Sequence, residues 1–282
     1  MARRPLKPGE MSEQQRHDVL CAFERRFHGP IWDWMAYKLE HKDDNDNGGG
    51  GDTGGQSTGF AIRNELDKVK APRIDLSKLE ILDVSEDAAV FSTLLAERYK
   101  AKRIVCAVRP EIKEHVLVRD NMEIVEVDLT GNEFTSLKAL GQFDVIVLKE
   151  VLYQVKDLAQ FFEAVKENLR EDGLIFVVTR PKNPPVPLPD PAMSMWRKMA
   201  PSREDVINEA DKAGFKIDVF SASCPITIDK FDWEAILLSG CLPVVKNSPK
   251  CTPKEIQSFI KSRPTKLKFE EKIFLFLLWL PG

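Results

Sequence analysis

Glycine is missing where an α/β domain most often needs it. The segment Ile81-Leu82-Asp83-Val84-Ser85-Glu86-Asp87-Ala88-Ala89-Val90-Phe91 reads as a buried strand running into an amphipathic helix over about 88–99. The turn between them carries two acids and no glycine. Such turns use glycine so that a nucleotide-type ligand can approach the backbone closely. The pattern therefore speaks for a fold more strongly than for a ligand. Charge of one sign is not in excess either: 41 Lys and Arg stand against 44 Asp and Glu, a net charge of −3. That balance excludes a broad nucleic-acid-binding surface and leaves only local basic patches. Cysteine is sparse and unpaired. Cys21, Cys106, Cys224, Cys241 and Cys251 are scattered, odd in number and form no CxxC. They read as free thiols in a reducing compartment, not as a disulfide or metal framework. The longest apolar run, Ile273 to Leu280, is far too short to span a bilayer and suits a buried strand. The first residues, MARRPLKPGEM, have no apolar stretch of the secretory kind, so the expected location is intracellular, cytoplasmic ahead of nuclear. Only His17, His28, His41 and His115 supply imidazole, none at the carboxyl end of a strand. A histidine-based nucleophile or metal site is not expected, and His28, beside an aromatic stretch, is the one to watch.

What is present is a core-forming composition, 43% hydrophobic over 282 residues. Residues 1–40 read as a helical N-terminal extension. Val19, Leu20, Phe23, Phe27, Ile31, Trp34 and Met35 recur at roughly helical spacing, broken at Gly29-Pro30. This segment packs on the main domain or serves as a lid over a ligand site. Residues 41–58 are a Gly/Asp/Asn-rich linker that cannot bury enough apolar area to order itself. Asp43, Asp44 and Asp46 lack the downstream glutamate of a calcium loop. From residue 59 to 282 strands and helices alternate. Strands are expected at Leu79–Val84, Arg103–Ala107, Glu123–Val127, Phe143–Leu148, Leu174–Thr179, Phe215–Phe220 and Ile273–Leu280. Helices are expected at 88–99, 111–118, 157–170, from 203 to about 213, 232–240 and 252–262. Asp157, Ser202 with Asp205, and Thr252-Pro253 supply start signals. The proline-dense stretch 183–191 is expected as an extended surface loop, and a helical insertion at about 225–268 precedes the last strand. The fold class is α/β: a Rossmann-like three-layer sandwich with a mostly parallel seven-stranded sheet and its last strand antiparallel.

The segment order from about 75 to 282 resembles the class I S-adenosylmethionine-dependent methyltransferases. The best-matched stretch runs from Phe143 through Leu148, Lys149-Glu150-Val151-Leu152-Tyr153, to Asp172-Gly173-Leu174, with Ala213-Gly214-Phe215 further on. The resemblance implies that Asp83 is the acid at the end of strand one and Asp128 the acid that approaches the adenine edge. It also implies that Ser85, Asp87 and Ala89 replace the three glycines of the cofactor turn, and that Val108 stands where an acid grips the ribose.

Lys149, Glu150 and Tyr153 follow strand four, at the sheet edge where such folds present catalytic groups. They are the candidate catalytic residues, with Asp83, Ser85, Asp128 and Lys149 as candidate cofactor contacts. Lys149 and Glu150 could act as base or orienter. The plainer alternative is a solvated loop with Tyr153 packed on the next helix. Arg180, at the end of strand five, could bind a carboxylate or phosphate. Two functions stay open. One is a degenerate methyltransferase-fold protein, Ser85, Glu86 and Asp87 acting as helix caps in place of a ligand, that binds or scaffolds a protein partner. The other is an active S-adenosylmethionine-dependent methyltransferase with an atypical cofactor turn, acting on a small molecule or a protein side chain.

Overall fold

The computed structural model describes residues 7–40, 76–85, 89–110, 113, 116, 118–129, 134–240 and 242–282. The expectations for the 41–58 linker, Glu86 and Asp87, and most of a 111–118 helix lie outside the described residues.

Buried apolar runs build the sheet, successive side chains entering opposite layers. Strands β1 (Glu80–Ser85), β2 (Arg103–Val108), β3 (Met122–Glu126), β4 (Phe143–Lys149) and β5 (Leu169–Thr179) are parallel. Ile81, Val145, Val147, Phe176 and Val178 point into one layer. Leu82, Val84, Ile146, Leu148, Ile175 and Val177 point into the other. With both faces covered, the strands read as near-continuous apolar runs. Two long strands complete the sheet, β6 (Lys216–Asp229) and β7 (Lys266–Trp279). β7 is inserted antiparallel between β5 and β6, giving the order β3-β2-β1-β4-β5-β7-β6. This is a Rossmann-like mixed sheet of seven strands, with its last strand antiparallel as expected. The order reverses between β1 and β4, so ligands of such folds bind at the carboxyl ends of those two strands.

The first layer is closed by helix α2 (Gly29–Glu40) and a short helix α3 (Val90–Leu94), which continues as a wider π turn over Leu95–Tyr99. α2 contributes Ile31, Trp34, Met35 and Ala36 to this core, with Trp34 edge-on to both Phe176 and Phe220. Helix α1 (Glu13–Phe27) precedes α2 and starts with a capping box between Ser12 and Gln15, worth roughly 1 kcal/mol. The second layer holds α4 (Thr135–Lys138), α5 (Leu158–Glu167) and α7 (Arg203–Lys212), with α6 (Asp190–Met199) lying between α5 and α7 in sequence. Phe161, Phe162, Val165, Val206, Ala210 and Phe215 fill that layer. The caps read from the sequence are in place: Asp157 accepts from Gln160 N at 3.0 Å, and Ser202 and Asp205 cap each other reciprocally.

Several boundaries differ from expectation. β6 runs to Asp229 and β7 starts at Lys266, so the pair projects well beyond β5, which meets β7 only over Phe274–Leu278. The helical insertion expected at about 225–268 thus begins and ends as a β-ribbon. Its helices are α8 (Lys230–Leu238), α9 (Pro243–Lys246) and α10 (Pro253–Lys261). The ribbon's inner face needs apolar cover. α1, α6, α8 and α10 provide it in a third cluster around Trp196, Trp233, Ile226 and Leu237. The 183–191 stretch is no mere surface loop, since Pro184, Val186 and Leu188 are buried and α6 begins at Asp190. No helix among the described residues is long and apolar enough to cross a membrane.

Gly173 marks an irregularity in β5. The step from Phe143 to Val145 on β4 is matched by the longer step from Leu169 to Leu174. A Cβ at Gly173 would lie 2.5 Å from Leu169 Cδ1 and 3.0 Å from the carbonyl oxygen of Arg170. Gly173→Ala is expected to cost about 1–3 kcal/mol through this overpacking. A urea titration that leaves the midpoint unmoved would contradict it.

Candidate functional site

β1 and β4 end side by side, with Ser85 opposite Lys149. Both ends carry a left-handed residue that is not glycine: Ala89 at φ 59° and Glu150 at φ 56°. Position 89 thus keeps the backbone shape of a glycine turn with a methyl group in place, a conformation that costs roughly 1–2 kcal/mol.

Asp83 is buried and committed inside the fold. Its Oδ1 accepts from the Ser85 hydroxyl, and its Oδ2 accepts from the Ser92 hydroxyl and from Ser92 N at 3.2 Å. The acid therefore ties β1 to the first turn of α3. Val108, at the end of β2, is buried in the apolar core with Cys106 and Phe91. Asp128 lies just past β3 and is exposed.

Lys149 and Glu150 are not solvated. They belong to a chain of buried ion pairs assembled from five places in the sequence. Lys149 Nζ lies 2.9 Å from Glu24 Oε2, and the same oxygen meets His28 Nδ1 at 2.5 Å. His28 Nε2 meets Glu271 Oε2 at 2.8 Å, and Arg180 Nε donates to Glu271 Oε1 at 2.5 Å. Arg180 Nη1 then lies 3.0 Å from Glu150 Oε2, while Glu150 Oε1 accepts from Arg180 N at 2.7 Å. With His28 protonated, charge alternates from Lys149 through Glu24, His28, Glu271 and Arg180 to Glu150.

Local electrostatics follow from that alternation. Burial alone would lower the His28 pKa, but Glu24 and Glu271 outweigh it and raise it to about 9. Burial would raise Glu271, yet Arg180 and His28 hold it down to about 2. Glu24 is likewise pulled far below the carboxylate range by His28 and Lys149 against its burial. Arg180 is held charged by Glu271 and Glu150 against its burial. Glu150, at the chain's end, is pushed up by burial, which Arg180 and Lys149 offset only in part.

The N-terminal helices reach this edge through more than charge. Trp32 of α2 stacks on Phe91 of α3 with ring centroids 3.9 Å apart, and Lys149 Nζ sits 5.7 Å from the Trp32 centroid. Tyr153 does not join the group. Its ring packs 4.8 Å from Trp196 of α6, in the third apolar cluster. Of the sequence-selected residues, Asp83 and Ser85 meet each other, Lys149, Glu150 and Arg180 enter the ion chain, and Asp128 and Tyr153 stand apart. Glu24 and Glu271 escaped sequence reasoning, although each left a signal. Glu271 occupies an inward position in the alternation Leu267, Phe269, Glu271, Ile273. Glu24 stands four residues before His28 on the buried stripe of α1.

These residues do not fit S-adenosylmethionine in the manner the resemblance implies. The acid of β1 is saturated by two serines, the ribose position is apolar, and an indole lies against the start of α3.

No protein-family model matches the chain. No curated protein matches it either. Solved structures do. A candidate methyltransferase from Bacillus halodurans C-125 is 16% identical with a TM-score of 0.48, over 79% of this chain and 99% of that one. The YcgJ protein of Bacillus subtilis is 12% identical with a TM-score of 0.47, over 73% and 94%. A SAM-dependent methyltransferase from Aquifex aeolicus is 11% identical with a TM-score of 0.44, over 72% and 82%.

Proposed function

We propose that the chain is a methyltransferase-fold protein that has lost efficient S-adenosylmethionine binding and works as a binding or scaffolding subunit. One observation carries this reading. Glu24, His28 and Trp32, all from the N-terminal helices, occupy the carboxyl edge at the ends of β1 and β4. Lys149 and Glu150 are spent on holding those helices and Arg180 in place. A base must reach the proton it takes, and these two groups face protein partners on the inside. Asp83 is spent in the same way on α3.

A second reading, an active methyltransferase acting on a small molecule or a protein side chain, is favoured by one feature. The buried indole N–H of Trp32 has no acceptor among the described residues, and a ligand could supply one. Methyl transfer depends mostly on positioning, so few obligatory side chains would be needed.

Calorimetric and thermal-shift titration with S-adenosylmethionine and S-adenosylhomocysteine separates the two. A true ligand present at a hundredfold its dissociation constant stabilises by about 2.7 kcal/mol. The expected result is no heat and no shift at millimolar ligand. Micromolar binding that is lost in Asp128→Ala would overturn the scaffold reading.

A further inference from the structure

Four cysteines fall among the described residues, none in a disulfide, and one has an environment unlike the others. Cys106 and Cys251 are buried in apolar clusters. Cys224 is half-buried on β6, opposite Glu271 of β7. Cys21 is half-buried on α1, and its Sγ lies 3.3 Å from Nδ1 of His17. His17 itself is buried.

Residues four apart share one face of a helix, so His17 and Cys21 meet by the geometry of α1 alone. The thiolate, not the thiol, is the nucleophile of cysteine, and an imidazole within hydrogen-bond reach is the group that takes the proton. Burial of His17 holds its ring by packing, so the pair is set before any reagent arrives. Arg25, one turn beyond Cys21, adds positive charge on the same face; its side chain is 44% exposed and lies 3.7 Å from Glu97. The acids nearest in sequence are turned to other partners. Asp18 Oδ1 accepts from Gln14 Nε2 at 3.0 Å, and Glu24 belongs to the ion chain. The sulfur therefore combines a base, a neighbouring cation and an opening to solvent. No other described cysteine combines these.

We propose that Cys21 is a site of thiol–disulfide exchange, with His17 as its base and a low-molecular-weight disulfide of the glutathione class as its substrate. His17 takes the Sγ proton. The thiolate attacks one sulfur of the disulfide, and the old S–S bond breaks as the new one forms. The leaving thiolate picks up the proton from His17. The Cys21 sulfur is oxidised and the released sulfur is reduced, so the disulfide itself is the oxidant. The product is a mixed disulfide on α1. Cys21 stands three residues before Glu24, on the stripe that also carries His28, so the adduct forms beside the clasp between α1, β4 and β7. This assignment is independent of whether a cofactor enters the sheet edge.

The test uses the full chain and glutathione disulfide, with the adduct on each cysteine quantified by peptide mass spectrometry. Every rate is compared with that of the same cysteine in the urea-unfolded chain. Cover alone only slows attack, so an ordinary half-buried cysteine reacts more slowly when folded. At about pH 6, where an ordinary thiol is almost wholly protonated, Cys21 is expected to react about fivefold faster folded than unfolded. Cys106, Cys224 and Cys251 should all react more slowly folded. His17→Gln, with its fold checked by its urea midpoint, should bring Cys21 to its unfolded rate or below. The ratio in the parent chain is decisive even if His17→Gln does not fold. A folded rate of Cys21 at or below its unfolded rate, faster modification of Cys224 than of Cys21, or an unchanged rate in folded His17→Gln would overturn the proposal.

Discussion

Glu271→Gln is expected to destabilise the protein by about 3–5 kcal/mol, the loss typical when one member of a buried pair is removed. Glu271 bonds two cations at once, His28 through Oε2 and Arg180 through Oε1; Glu271 and His28 are buried and the Arg180 side chain is 10% exposed. The glutamine keeps the shape and removes the charge, leaving Arg180 with only Glu150 and His28 with only Glu24. The surface pair Lys113–Glu126 is an internal control. Its side chains are about half exposed, and Glu126→Gln should cost well under 1 kcal/mol. Urea denaturation of both variants measures the contrast. A Glu271→Gln loss as small as that of Glu126→Gln would show that the chain carries no structural weight. Coupling supplies a further check. His28 and Glu271 touch, so the double variant should lose clearly less than the sum of the single variants. The prediction concerns breaking the chain, not its net worth. Well-packed apolar replacements of a whole buried ion network are often neutral or better, so the network's value lies in specifying where the N-terminal helices sit.

How far the sequence could be read follows from the range of the forces involved. Strand positions rest on period-two alternation within a few residues, and β1 to β5 appear within a residue or two of expectation, apart from the early start of β5 at Leu169. The caps at Asp157, Ser202 and Thr252 act over three residues and are equally local. The far halves of β6 and β7 are different. Ser221 to Asp229 has little strand character alone and is ordered by pairing with Lys266 to Phe274, some forty residues on. The site shows the same division. Lys149, Glu150 and Asp83 could be placed at strand ends because the fold rule is local to each strand. Their partners could not. Glu24 and Glu271 are separated from Lys149 and Arg180 by 125 and 91 residues, and only the docking of α1 against the β7 end joins them. An isolated glutamate in a helix or strand gives no notice of a distant cation, beyond occupying an inward position where a hydrophobic residue belongs.

That docking gives the protein's stability a defined pH profile, dominated by His28. Its folded pKa, about 9, lies above the ordinary 6.5 because Glu24 and Glu271 both face it. Raised in the folded state, the group contributes its full stabilisation below about 6.5 and loses it as pH rises through 9. Glu271 behaves oppositely. Held at about 2 from an ordinary 4.5, it contributes fully above about 4.5 and loses that contribution as pH falls towards 2. Glu24, lowered further, follows it at still lower pH. Glu150 works against both, since its raised pKa makes folding harder as it ionises above 4.5. Arg180 stays charged throughout. Stability is therefore expected to be highest between about 4.5 and 6.5 and to fall by a few kcal/mol from there to pH 9, one proton being released at about 1.4 kcal/mol per pH unit. Urea midpoints followed across that window measure the slope. His28→Gln should be less stable at the maximum and nearly flat between 6.5 and 9, because the proton that links pH to folding is gone. An alkaline limb as steep in His28→Gln as in the parent would place the titration elsewhere. The same measurement on Glu271→Gln discriminates further: with one of its two carboxylates neutralised, His28 should titrate lower, and the alkaline fall should begin at lower pH than in the parent.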